Sequence, residues 1–304
     1  MGAMGTIIEA SATATATAHQ RSLSPGSLEL ADFAARSCLE RANRTAEELD
    51  LLINAGVYHD KILSEPAFAS LIQEDIGANL GRAAGAGQGT FSFDVYNGAC
   101  GLLTGVHLVD GMLASGTAQL GMVVASDMDP EPGFSEGFSF PGVGGAVLLS
   151  ADSSRAGFTA FRFATFPEFA DLFESYVDWQ DDDGRGPARQ GRNVLTVEIS
   201  ESYATRALQC AESTATELVT AQGLQLGEID TLVATASVPG FSDGLATRLG
   251  IASARVAALP DGLAAAHTAA PAVALESVDL ATAGTTLFVS AGAGITVAVA
   301  LYRG

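Results

Sequence analysis

The chain has 304 residues, with 15 Lys and Arg against 35 Asp and Glu, a formal net charge of −20. So acidic a surface repels phosphate backbones and anionic bilayers, which excludes nucleic acid and membrane surfaces as partners. Apolar residues make up 48% of the sequence, which excludes a disordered chain, and the length favours two packed halves over one growing core.

Residues 1–10 show no basic region ahead of an apolar run, so no secretory signal is expected. Thr6–Ala10 reads as a short apolar strand. Ser24-Pro25-Gly26 then opens a helix to about Ala42, with Leu30, Phe33, Ala34, Cys38 and Leu39 at helical spacing. Leu49–Ala55 and Ser92–Tyr96 read as buried strands. Cys100 to Ala114 is a helix apolar nearly all round, which implies burial on every side. Gly121–Ser126 and Ala146–Leu149 are core strands free of charge. Leu280–Tyr302 is long and uncharged, but Gly292-Ala293-Gly294 splits it, and it reads as a core hairpin rather than a membrane span. Strand, helix, strand in this rhythm gives an α/β chain with a mainly parallel sheet covered on both faces.

The sequence also repeats. Glu48-Leu-Asp-Leu-Leu-Ile-Asn-Ala answers to Glu228-Ile-Asp-Thr-Leu-Val-Ala-Thr. Asp94, Cys100 and Met122-Val-Val-Ala answer to Asp261, His267 and Leu287-Phe-Val-Ser. Two similar halves are expected, 1–155 and 156–304. Within the second, residues 158–192 stand apart as an aromatic and acidic insert. Phe158, Phe161, Phe163, Phe166, Phe169, Phe173, Tyr176 and Trp179 precede a charged loop from Asp181 to Arg192. They fit an acyl pocket, a partner surface, or a strand with a core-capping helix. Glu168, Asp171, Glu174 and Asp178 fall on one face of a helix there, a solvated face rather than a metal site.

Phe93 to Asp127, FDVYNGACGLLTGVHLVDGMLASGTAQLGMVVASD, resembles the nucleophile region of β-ketoacyl-acyl-carrier-protein synthase III and its thiolase-fold relatives. Leu30–Ala55, Phe138–Leu149 and Leu287–Arg303 resemble further blocks of that family. The resemblance implies two duplicated βαβαβ halves packed as αβαβα layers. It also implies chemistry on acyl thioesters, run by a Cys at a helix start, a His and an Asn. The Cys is acylated, helped by the helix dipole and oxyanion-hole N–H groups.

All three catalytic positions depart. A gapless match places Ala99 at the nucleophile and Cys100 one residue later, a rotation of about 100° on a helix. A bulge at Tyr96-Asn97-Gly98 would restore Cys100, since Gly98 permits unusual dihedrals. Thr235 stands for the His and Ala264 for the Asn. The segment that holds coenzyme A in the family shrinks here to the Thr/Ala run 13–18 and little more. An acidic acyl carrier also needs basic surface, which this chain offers only if Arg185, Arg189 and Arg192 cluster; Lys61 is its single lysine.

Three functions follow from these residues. The first is a degenerate subunit that pairs as a heterodimer with a catalytic paralogue, in fatty acid, polyketide or secondary-metabolite assembly. The second is a self-sufficient acyltransferase, condensing enzyme or thioesterase using Cys100 as nucleophile and His267 as base. The third is an acyl-binding homodimer without chemistry. No cofactor and no metal is expected, since three scattered cysteines make no ligand set, and their free state fits a reducing cytoplasm. His107 reads as a packed core or interface residue, His19 as solvated, and His59 as solvated or paired with Asp60. Pro141-Gly142-Val143-Gly144-Gly145 lacks the Lys and Ser/Thr of a phosphate loop and reads as packing.

Overall fold

The repeated Glu-x-Asp segments do the same work twice. Glu48 Oε2 accepts the Thr45 N–H and Glu228 Oε2 the Gln225 N–H, each at 2.7 Å, closing two capping boxes. Two residues on, Asp50 accepts the Gln119 N–H at 2.7 Å and Asp230 the Thr285 N–H at 2.9 Å. Each aspartate thus ties a strand start to the start of its neighbour.

The computed structural model describes residues 5–15, 25–60, 65–80, 89–153, 156–181 and 191–304. In chain order the elements are β1 (Gly5–Thr15), α1 (Ser27–Ala42), β2 (Leu51–Asn54), α2 (Phe68–Ile76), β3 (Phe91–Asp94), α3 (Gly101–Ala114), β4 (Leu120–Asp127), β5 (Val143–Asp152) and β6 (Gly157–Thr165). There follow β7 (Phe173–Asp181), β8 (Gly191–Ile199), α4 (Tyr203–Ala221), β9 (Thr231–Ala236), α5 (Phe241–Leu249), α6 (Ala270–Leu275), β10 (Thr285–Gly292) and β11 (Thr296–Arg303).

Nine strands form one sheet in the order β3-β2-β4-β5-β1-β6-β11-β10-β9. From one edge, β2 runs parallel to β3 and β4, then β4-β5 and β5-β1 are antiparallel. From the other edge, β9-β10 is parallel, then β10-β11 and β11-β6 are antiparallel. A parallel bridge from Leu232 to Val256 stands where β3 does in the first series. The series meet at a single bridge, Thr6 to Phe158.

Strand alternation builds the layers. Leu51 and Ile53 face a central core with α3 and α6, while Leu52 faces α1 and α2. Phe288 faces the same central core, while Leu287 and Val289 face α4 and α5. The stack reads α1/α2, sheet, α3/α6, sheet, α4/α5. Among the described residues no helix is long and apolar enough to cross a membrane, and no group of three or more His, Cys, Asp or Glu could hold a metal ion.

Several expectations need correction. The sheet is not mainly parallel: of its eight strand pairings three are parallel and five antiparallel, because β5, β1, β6 and β11 in its middle run antiparallel to their neighbours. Of residues 158–192, the strand of the alternative reading is present, since 158–165 lie in β6 of the main sheet, but among the described residues the helix is not. Pro167–Leu172 is a short 3-10 segment, and Phe173–Asp181 is a strand paired with β8, so Glu168, Asp171, Glu174 and Asp178 share no helix. Helix α3 is not buried all round, because His107, Leu108 and Gly111 are exposed. Of the Thr/Ala run, residues 13–15 belong to β1 and the rest lie outside the described residues, as do His19, Lys61, Arg185 and Arg189. Arg192 lies over the Phe134 ring, 3.8 Å from its centroid.

The glycine block is a packing device. A Cβ on Gly145 would meet the Cβ of Ala272 at 2.7 Å, and one on Gly144 would meet the Leu30 carbonyl oxygen at 2.3 Å. Strand β5 thereby touches α6 on one face and α1 on the other.

Helix α1 carries a titrating contact with α2. Burial, and next the charge and hydrogen bond of Asp75, push the Asp32 carboxyl up to about 8; Glu29 adds to this and Arg36 opposes it. A carboxyl raised above its unfolded value of 3.8 gives stability that is full below about pH 4 and lost as pH rises through about 8. Thermal melts between about pH 6 and pH 9 should therefore show a falling Tm for the native chain and a nearly flat one for Asp32→Asn. Equal decline in both would refute this.

Candidate functional site

The turn from β3 into α3 is built by Gly98, whose φ of +49° lies in the left-handed region. A 3-10 turn, Gly98–Cys100, follows, and α3 starts at Gly101. Asp94, at the end of β3, accepts the Phe68 and Ala69 N–H groups at 2.7 and 2.8 Å, so it caps α2. The Phe-Asp-Val motif thus serves structure.

This geometry does not turn Cys100 toward a reactant. Its side chain has no exposure, and Sγ donates to the carbonyls of Ser290 and Thr296 at 3.3 and 3.2 Å. Burial pushes the thiol up to about 12, against weaker help from the backbone at Ala298 and Gly292. A buried, neutral thiol is a poor nucleophile. Ala99 is 1% exposed and packs on the β10–β11 turn, where a Cβ on Gly292 would sit 3.2 Å from its nitrogen.

Thr235 is equally enclosed, at 2% exposure, with its hydroxyl 3.0 Å from that of Ser290. Ala264 precedes α6 and lines a cavity of about 320 Å³ with Ala236, Val238, Phe241 and Leu259. Neither Ala99 nor Thr235 lines that cavity. A methyl, a paired hydroxyl and a second methyl supply no acyl acceptor and no base.

His267 has a different partner from the one expected. Its Nδ1 lies 3.5 Å from Asp127 Oδ2, and its ring stacks on Phe140 at 4.9 Å and tilts against Tyr58 at 5.1 Å. The Cys100–His267 dyad is therefore not formed: the thiol points at β10 and β11, the imidazole at the end of β4. His107 is exposed and lies against Phe161 and Phe163, at 4.5 and 5.5 Å. His59 does not pair with Asp60. Asp60 Oδ1 takes the Ser27 N–H and hydroxyl at the start of α1, while His59 stacks on Phe68 at 3.8 Å.

Asp127 is the site residue that the sequence reading missed. It is 1% exposed. Oδ1 accepts the Val57 and Tyr58 N–H groups, each at 3.0 Å, and Oδ2 accepts the Thr268 N–H at 2.9 Å together with its hydroxyl. One carboxylate thus joins the loop after β2, the end of β4 and the approach to α6. The available signal was a lone charge ending an uncharged strand.

No protein-family model matches the sequence. The β-ketoacyl-[acyl-carrier-protein] synthase III of Rhodospirillum rubrum is 27% identical over 251 residues, 75% of this chain and 68% of that enzyme. The Streptococcus pneumoniae enzyme of the same name is 30% identical over 99 residues, 33% of this chain and 27% of its own length. The crystal structure of the Pseudomonas aeruginosa synthase III overlays with a TM-score of 0.75 at 17% identity, covering 98% of each chain.

This chain is a divergent, thiolase-fold relative of the synthase III enzymes. Several residues of the segments that resemble the family have structural partners here: Asp94 caps α2, and a Cβ on Gly101 would meet the Ala55 carbonyl oxygen and one on Gly144 the Leu30 carbonyl oxygen.

Proposed function

We propose that this chain is a silent, synthase III-like subunit that completes a dimer with a catalytic paralogue. The observation that carries the reading is Cys100: fully buried, bonded to two carbonyls, and preceded by Ala99 where the family resemblance puts the nucleophile. The partner would supply the Cys, His and Asn and the basic surface for an acyl carrier. Two surfaces support a partner. Strand β3 is a sheet edge carrying exposed Phe91, and α3 with β6 exposes His107, Leu108 and Phe163. The pathway would be acyl condensation for fatty acid, polyketide or secondary-metabolite assembly. A non-catalytic homodimer is the second reading, and the same apolar surfaces fit it.

Co-expression with a synthase III-like paralogue from the same genome, with the tag on this chain only, separates them. A one-to-one heterodimer by light scattering is expected. A stable homodimer that excludes the paralogue would overturn the silent-subunit reading.

A further inference from the structure

The loops after β2, β3 and β4 and the β7–β8 ribbon line a half-open cavity of about 380 Å³. That volume fits a small organic ligand. Its walls include three tyrosines, Tyr58, Tyr96 and Tyr176, with Val57, Val177 and Leu195 as apolar surface. No Lys or Arg is among its described lining residues, and Glu131 is the one carboxylate there.

One polar side chain of this wall lacks a partner: Glu131 Oε2 is buried without a hydrogen bond. A carboxylate left so, with no described cation beside it, is costly to bury, and a bound cation would recover part of that cost. His59 adds no compensating charge: burial holds it below its ordinary value, against the pull of Asp127, Asp94 and Asp60, so the imidazole is neutral near pH 7. Tyr96 and Tyr176 donate their hydroxyls to Asp94 and Glu198, at 3.4 and 3.0 Å. Donation to a carboxylate makes a phenol ring richer in electrons, and ring faces attract cations.

We propose that this cavity binds an organic ammonium, an amine or quaternary ammonium with an apolar body, its head among the tyrosines and against Glu131. The assignment stands apart from the pairing proposed above, since the lining includes none of Ala99, Cys100, Thr235, Ala264 or His267. An anionic head is disfavoured by the same field.

Titration calorimetry on the full chain tests it with choline, benzyltrimethylammonium and 3,3-dimethylbutan-1-ol, the neutral isostere of choline. At least one ammonium should bind about tenfold or more tighter than the isostere, and Glu131→Gln and Tyr176→Ala should each weaken it by a similar factor. Circular dichroism melts should show both variants folded. Binding by neither ammonium, equal binding of the isostere, or unchanged affinity in folded Glu131→Gln would each overturn the proposal.

Discussion

Asp127→Ala is expected to destabilise the fold by about 3–5 kcal/mol in urea unfolding at neutral pH, a large share of the roughly 5–15 kcal/mol typical of a folded domain. The substitution removes the acceptor for three backbone N–H groups and one hydroxyl, all but the Val57 N–H fully buried, and leaves His267 without its carboxylate. Orphaned buried donors carry their full desolvation penalty. Thr268→Val removes only the hydroxyl bond and should cost about 1–2 kcal/mol. The pH dependence follows from the same contacts. Burial works to raise the Asp127 carboxyl, but the neighbouring His267 and the hydrogen bonds from Thr268 and Tyr58 hold it well below the usual carboxylate range. A depressed folded value gives stability that is present above the unfolded 3.8 and lost as pH falls below it. Acid unfolding of the native chain should therefore be steeper below pH 4 than that of any folded variant lacking this carboxylate.

Gly144→Ala should cost about 3 kcal/mol, because the clash is with backbone. The new methyl would lie 2.3 Å from the Leu30 oxygen and 2.6 Å from its carbonyl carbon, so α1 must move away from β5. Gly111→Ala is the control. Gly111 is exposed within α3, a Cβ there meets nothing within 4 Å, and the variant should gain up to about 1 kcal/mol from helix propensity. If both variants melt alike in differential scanning calorimetry, the packing account of the glycine block is wrong.

Most of the fold was legible in the sequence because its core strands carry no charge. Leu120–Asp127 and Thr285–Gly292 could be found by eye, and the Glu-x-Asp pair marked the same corner in both halves. The ribbon was misread for a specific reason. Glu174 and Asp178 are four residues apart, and four is one helical turn as well as two strand repeats, so spacing alone cannot choose. Apolar chemistry hid the exposed face of α3, since Leu108 reads the same whether this chain or another one covers it. The candidate site was legible only as a set of losses. Ala99, Thr235 and Ala264 could be seen to lack chemistry, but the contact of Asp127 with Thr268 spans the two halves, and no local pattern announces it. The burial of Cys100 was likewise set by β10 and β11, far along the chain.

The measurement closest to the central claim is the intact mass of the isolated chain after incubation with an acyl-coenzyme A thioester at neutral pH. An unmodified mass is expected, because the Cys100 thiol is buried and protonated. A stable acyl adduct that disappears in Cys100→Ala would contradict it.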